Sequence, residues 1–408
     1  MDDWATRALG DVILKTPTTD PKKTPDVKFL YVDVSGVSNK TLEITTAEEL
    51  LGKDAPSRAR RIVSAGDIIF ATVRPTLRRI AIVPEYLDGQ VVSTGYFVFK
   101  PNSEVFNRYL YYFLQTETFM GKMQRLQAGA SYPAVNDTQV KGQPISYPPI
   151  PEQQRIVAIL DQAFADIEKA RANAEKNLKN ARELFDSYLQ QVFSQRGEGW
   201  EVRPLESFST IVNGFAFKSG DFSPNNKAKS IKITNVGVYN FVEKSDNYLP
   251  KDYLDKYDSY KAYEGDIVVA LTRTIISAGL KVAVVPPNYD ASLINQRVAA
   301  VQVNEDIMPK EMLQAFLSTS IAIKYVKSNV SELMQPNLSI KDLKAFPVPV
   351  PPSGKKLAIC NNISDIKNQV DQLVGVYETK LSSLDELKKS LLQKAFSGEL
   401  KKGEGRAA

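Results

Sequence analysis

QQRIVAILDQAFADIEKARANAEKNLKNARELFDSYLQQVFSQ, residues 153–195, is the stretch on which the fold turns. Its apolar positions are Ile156, Leu160, Ala163, Ile167, Ala170, Ala174, Leu178, Ala181, Leu184, Tyr188 and Val192, spaced by threes and fours. That narrow seam predicts a helix from Glu152 to Gln195, roughly 65 Å long at ~1.5 Å per residue, of the kind that pairs with another helix. Moving each position on by 203 gives Ile359, Ile363, Ile366, Val370, Leu373, Tyr377, Leu381, Leu384, Leu387, Leu391 and Ala395, again all apolar or Tyr. The chain writes the same helix twice.

The duplication extends outward. Pro144 answers to Pro347, Pro148-Pro149 to Pro351-Pro352, and Phe193-Ser194 to Phe396-Ser397. With slightly different offsets, Gly66-Asp67-Ile68-Ile69 matches Gly265-Asp266-Ile267-Val268, Arg74 falls near Arg273, and Trp4 with Leu9 matches Trp200 with Leu205. Each half therefore reads as a globular unit, a proline-rich extended exit and a long helix. Strand-like runs punctuated by Gly, Pro, Asn and Asp lie at Lys28–Val34, Asp67–Val73, Arg79–Val83, Val91–Phe99, Ile231–Val236, Asp266–Leu271, Leu280–Val285 and Arg297–Val303. Helical patches fall at Asn107–Gln127 and Pro309–Lys327.

The expected fold class is mixed α+β: two globular domains separated by two long antiparallel coiled-coil helices, related by a pseudo-two-fold internal repeat. The domains run 1–150 and 198–352, the helices 151–197 and 353–400, with a tail at 401–408. A helix lying across one domain, or a dimerising coil, is the plainer use of the same seams. Two similar but non-identical units held apart by paired helices suit duplex DNA, whose own local two-folds meet paired readers at fixed spacing.

Absences narrow the chemistry. Among 408 residues there is no histidine, and Cys360 is the only cysteine. That excludes an internal disulfide, a Cys/His zinc site and any histidine general base. No phosphate loop and no G-x-G-x-x-G occurs. No run approaches the ~18–20 apolar residues of a membrane span. The start, MDDWATRALGDV, is acidic where a secretory signal is basic. A cytoplasmic binding protein without membrane contact is expected. Asp67 and Asp266 sit in separate repeats, too far apart for paired acid/base work, and read as turn-capping residues.

Net charge is only +5, but it is locally concentrated. Arg58, Arg60, Arg61, Arg74, Arg78 and Arg79 stand against Asp67 alone in the stretch 58–79. The arginine fork grips phosphate or guanine edges, which makes these six the DNA-binding candidates of the first domain. In the second domain the candidates are Lys218, Lys227, Lys229, Arg273, Lys281 and Arg297, with Asn295 and Gln296 able to read adenine edges. A solvated surface, internal ion pairs or turn formation is the plainer role for any one of them. Cys360 beside the second seam reads as an inert thiol.

The layout resembles the specificity subunit (HsdS family) of Type I restriction–modification systems. The resemblance spans nearly the whole chain and rests on Gly66-Asp-Ile-Ile-Phe70, on Pro148-Pro-Ile-Pro-Glu-Gln153 opening a helix, and on Leu391-Leu-Gln-Lys-Ala-Phe-Ser-Gly-Glu-Leu400. Two departures stand out: Lys355-Lys356 occupies the place of Glu152-Gln153, and Phe193-Ser-Gln-Arg-Gly is looser than the second helix ending. The resemblance implies a non-catalytic DNA-recognition subunit whose two target-recognition domains each bind one half of a split, asymmetric site. It implies docking of two methyltransferase subunits along the helices, with restriction/motor subunits joining them. The chain itself then needs no cofactor: S-adenosylmethionine belongs to the methyltransferase, ATP and magnesium to the motor. Two other readings remain: a specificity subunit for a Type II-like fused methyltransferase–nuclease, and a coiled-coil scaffold that binds protein.

Overall fold

The computed structural model describes residues 4–129, 133–277, 279–329 and 337–400; the expected tail, 401–408, lies outside them. The chain divides into two compact units, one of Met1–Glu175 with Thr379–Ala408, the other of Lys176–Glu378.

In the first unit, β1 (Ala5–Ala8) pairs antiparallel with β9 (Pro144–Tyr147). A four-stranded sheet has the order β3 (Glu48–Leu51), β2 (Lys28–Val32), β7 (Val91–Ser93), β4 (Ala59–Ile62). A three-stranded sheet has the order β6 (Ile80–Ile82), β5 (Ile68–Ala71), β8 (Tyr96–Phe99). Helices α1 (Asn107–Phe113), α2 (Glu117–Leu126) and α3 (Asp137–Lys141) follow, and then α4 (Ile150–Ser194).

The second unit repeats this plan. Strand β10 (Glu201–Pro204) pairs with β21 (Pro347–Val350). One sheet runs β13 (Tyr248–Leu249), β12 (Ala228–Ile231), β19 (Ser292–Ile294), β14 (Lys261–Ala262). The other runs β11 (Ser209–Asn213), β20 (Val298–Val303), β15 (Ile267–Ala270), β18 (Val282–Val284). A small ribbon of β16 (Ile275–Ile276) and β17 (Gly279–Leu280) links the last two. Helices α5 (Tyr253–Lys256), α6 (Lys310–Leu317), α7 (Ser320–Asn329), α8 (Ile340–Lys344) and α9 (Ser353–Ser397) complete it. The ends of α4 and α9 differ by the same 203 positions as their seams.

Strand β5 shows why these sequences fold this way. It is buried on both faces, so its run of Ile68, Ile69, Phe70 and Ala71 is apolar throughout rather than alternating. Ile68 and Phe70 enter the core under the helices, while Ile69 and Ala71 enter the core shared with the other sheet. Strand β15 does the same, with Ile267 and Val269 on one side and Val268 and Ala270 on the other. Each fully buried Ile, Val or Phe among them contributes about 1.5–3 kcal/mol.

Several expected elements are subdivided. The run Val91–Phe99 is two strands in two sheets, with the crossing at Thr94-Gly95. A Cβ at Gly95 would sit 2.4 Å from Val34 Cγ2, so the close approach demands glycine. The helical patches break in two where Thr116 and Thr319 turn their hydroxyls onto Phe113 and Phe316 carbonyls and accept the N–H of Phe119 and Ala322. The proline-rich exits carry strands β9 and β21. In β21 the prolines alternate, Pro347 and Pro349, leaving Val348 and Val350 to hydrogen-bond along one edge, whereas β9 carries proline only at its first residue, Pro144.

Within each unit the long helices pack antiparallel. Arg171 pairs with Asp385 and Lys388 with Glu168 in the first, and Arg182 pairs with Glu378 in the second. Ile156, Leu160, Ile167, Leu392 and Ala395 join the first core; Leu189, Phe193 and Ile363 join the second. Three seam positions, Leu184, Leu373 and Leu387, are exposed instead. The seam of α9 follows 370, 374, 377, 381, 384 and 388, leaving Leu373 and Leu387 off it.

Candidate nucleic-acid interface

The turn before the central strand is built identically in both units. Ser64 N–H donates to Asp67 Oδ2 and Tyr263 N–H to Asp266 Oδ2, each at 2.8 Å. Ala65 and Glu264 N–H donate to Asp88 and Asp290 Oδ1, each at 2.9 Å. Gly66 and Gly265 take φ of +83° and +84°, which suits glycine. Burial pushes both Asp67 and Asp266 above the ordinary carboxylate value. These carboxylates cap turns, and the structure keeps them in separate units.

The six arginines fall into distinct roles. Arg60 pairs with Asp20 and holds its carboxyl below the usual range. Arg61 grips Asp137 with two hydrogen bonds of 2.8 and 3.0 Å, and Arg78 grips Glu117 with two of 2.7 and 2.8 Å. Arg79 donates to the Val34 carbonyl at 2.7 Å. Arg58 and Arg74 are exposed. The Arg58 side chain makes no hydrogen bond or ion pair among the described residues, while its carbonyl accepts from Thr94 N–H at 2.8 Å.

The second unit divides in the same way. Lys281 donates to the Ile233 carbonyl at 2.8 Å, and burial lowers its affinity for a proton. Lys229 caps the Tyr289 ring at 4.4 Å and donates to the Asn288 carbonyl. Asn295 is half-buried and donates its backbone N–H to Ile231. Lys218, Lys227, Arg273, Gln296 and Arg297 are exposed.

One end of the sheet that holds β5 in the first unit and β15 in the second gathers the exposed groups. In the second unit, Leu271 N–H donates to the Arg297 carbonyl, so Gln296-Arg297 enters β20 beside the stretch that leaves β15 for Arg273. In the first, Thr72 N–H donates to the Gly95 carbonyl and Thr94 N–H to that of Arg58, placing Arg58 by the exit of β5 towards Arg74. Among the described residues no hydrogen bond brings Lys218 or Lys227 to this end. Lys40, which the sequence did not single out, lines a groove of the first unit with Arg78, Lys388 and Lys389 and with the acidic Glu117 and Asp385. Its one signal was the turn-forming Ser38-Asn39.

The helix starts are also matched. Gln153, fully buried, donates to the Glu104 and Pro148 carbonyls and accepts from Phe106 N–H, each at 2.8 Å. Lys356, in the matching place, donates to the Asp306 carbonyl at 2.6 Å. Lys356 therefore makes one such hydrogen bond where Gln153 makes three.

Two α+β modules of one plan, each completed by parts of two long helices, define a class of tandem-module proteins. The family described as the Type I restriction modification DNA specificity domain matches residues 1–176 and again 197–376, and the chain belongs to that family. It is 24% identical to the Type I restriction enzyme MjaVIII specificity subunit of Methanocaldococcus jannaschii, over 98% of this chain and 93% of that protein. It is 27% identical to the Escherichia coli EcoAI specificity subunit over 52% of this chain and 36% of that one. Among solved structures it is similar, at 26% identity, to a chain from work on complex assembly and conformational transition of the type I restriction–modification system. That match has a TM-score of 0.84 and covers 98% of this chain and 99% of the other. The HsdS subunit from Thermoanaerobacter tengcongensis is also 26% identical, with a TM-score of 0.62 over 98% and 97%.

Proposed function

We propose that this chain is the DNA-specificity subunit of a Type I restriction–modification complex. Each unit binds one half of a split, asymmetric duplex site, and the two long helices set the spacer and dock two methyltransferase subunits. The observation that carries this reading is the duplication itself: one module occurs twice, and each copy places exposed cationic or amide residues, Arg58 and Arg74 or Arg273, Gln296 and Arg297, at the same end of the sheet that holds β5 or β15. Exposed Leu184, Leu357, Leu373, Val376 and Leu387 on the helices supply apolar surface for partners.

The chain does no chemistry of its own in this reading. S-adenosylmethionine serves the methyltransferase, ATP and magnesium serve the restriction/motor subunits, and the assembly works in the cytoplasm. Among the described residues no helix is long and apolar enough to cross a membrane.

A modified-base map of host DNA with and without the gene tests the reading. Loss of N6-methyladenine from one split motif is the expected result. An unchanged map, with no salt-dependent duplex binding by the assembled complex, would leave the protein-scaffold reading in its place. Shortening both helices by matched turns changes the spacer and leaves the half-sites; a constant spacer would show that the helices do not set it.

A further inference from the structure

Two modules that read different half-sites must share their sequence-independent contacts and differ in the sequence-dependent ones. The duplicated fold allows that division to be made residue by residue. Strands β5 and β15 have the same ladder register, Ile68 lying opposite Ile82 and Phe99, and Ile267 opposite Val284 and Val301. Counting from these pairs, Arg74 and Arg273 are equivalent: each lies three residues past its strand.

Their backbones agree as well. Both arginines have φ of +49°, a left-handed conformation uncommon for any residue but glycine. Both are exposed. The loop they open ends at a second matched pair, since Arg79 and Lys281 each precede the next strand by one residue. Arg79 donates to the carbonyl of Val34 and Lys281 to that of Ile233, each acceptor lying two residues beyond its own strand. The cation at the loop's far end is thus an internal brace, and the one at its near end is an exposed residue.

Between these fixed points the loops diverge. The first continues as Pro75-Thr-Leu-Arg78, the second as Thr274-Ile-Ile-Ser-Ala-Gly-Leu280. Each nevertheless exposes one large apolar side chain, Leu77 at 40% and Ile276 at 45%. In the second loop the Thr272 and Thr274 hydroxyls beside Arg273 are buried with no hydrogen-bond partner among the described residues.

We propose that Arg74 and Arg273 are a matched pair of phosphate anchors, and that Leu77 and Ile276, further along the same loops, meet base edges and carry part of the difference between the two half-sites. The inference rests on the specificity-subunit reading. A bidentate arginine–phosphate contact fixes register without reading sequence, whereas an aliphatic side chain in the groove discriminates by contact with the thymine methyl.

The test uses the full chain assembled with its methyltransferase subunits. Affinity is measured over a salt series for a duplex carrying the mapped site and for an unrelated duplex. R74N and R273N remove the charge but retain a residue that tolerates the left-handed backbone; R74K and R273K keep the charge. Each Asn variant is expected to weaken both duplexes alike and to flatten the slope of log affinity against log salt by ~0.9, with the Lys variants restoring the slope. L77A and I276A are expected to keep the slope and cut the specific-to-nonspecific ratio about tenfold. An unchanged slope in R74N or R273N, or an unchanged ratio in both alanine variants, overturns the proposal while the wild type still binds. A wild-type complex that binds no duplex DNA overturns the specificity reading itself, and this inference with it.

Discussion

The ring of Phe396, near the C-terminal end of α9, meets Phe113 of α1 edge-on at a centroid distance of 5.7 Å. Phe193, 203 positions earlier, meets Phe316 of α6 at 5.3 Å with the same 63° interplanar angle. Each unit is therefore closed by the end of a helix that begins in the other. Phe193 is fully buried and Phe396 only partly. F193A is expected to cost about 3–5 kcal/mol of the second unit's stability, and F396A less for the first. Denaturant unfolding of both variants checks the order; equal losses would mean that burial does not rank these contacts.

Gln153 uses both ends of its amide to hold the start of α4, and its removal strands two carbonyls and one N–H. Q153A should cost about 2–4 kcal/mol, since each buried unpaired group costs about 1–3 and water reaches some of them. K356Q should stay within about 1 kcal/mol of wild type, because glutamine can serve the same Asp306 carbonyl. Thermal melts of the two variants decide; a K356Q loss as large as that of Q153A would show that the braces are not equivalent.

Asp67 and Asp266 give a pH dependence of known sign. Their folded-state values lie above the ordinary 3.8 because burial disfavours the charge. The folded state therefore holds protons that the unfolded state has released. Their contribution to stability is present in full below the ordinary value and is lost as pH rises through the raised one. The double variant D67N/D266N keeps a neutral acceptor for the Ser64 and Tyr263 N–H groups. It is expected to lack this part of the slope and to be at least as stable as wild type at pH 7. Urea titrations from pH 4 to 7 test this; a clearly destabilised variant at pH 7 would show that the carboxylate charge itself supports the turn.

Local pattern carried the helices, the repeat and the strand β5, because each depends on neighbours within a few residues. The seam around Ile156 and Leu160, the prolines that bar earlier helix, and the Gly66-Asp67 turn are all written in consecutive sequence. Features set by distant partners were not legible. Where the chain switches sheets it needs glycine at position 95, because Val34, 61 positions away, leaves no room for a Cβ. Leu373 and Leu387 are apolar yet exposed, because the partner helix selects its neighbours rather than the period alone. The arginine cluster showed the same limit most sharply, since composition placed six cations together and could not say which had acids waiting.

Arg61 is tied to Asp137, 76 positions away, with its guanidinium 6.0 Å from the Phe97 ring centre and its Nε buried with no partner among the described residues. R61A removes a two-pronged, half-buried pair and its packing, and is expected to destabilise the first unit by about 1–3 kcal/mol. Arg58 is exposed, and R58A should leave melting within about 0.5 kcal/mol of wild type. Duplex affinity should respond in the opposite order: R58A flattens the salt dependence by ~0.9, whereas R61A leaves it unchanged at temperatures where the unit is folded. Melting curves and a salt series on the same two variants measure both. If R61A flattens the salt slope and R58A does not, the ion-paired arginine opens its pair to bind DNA, and exposure is the wrong guide to this surface.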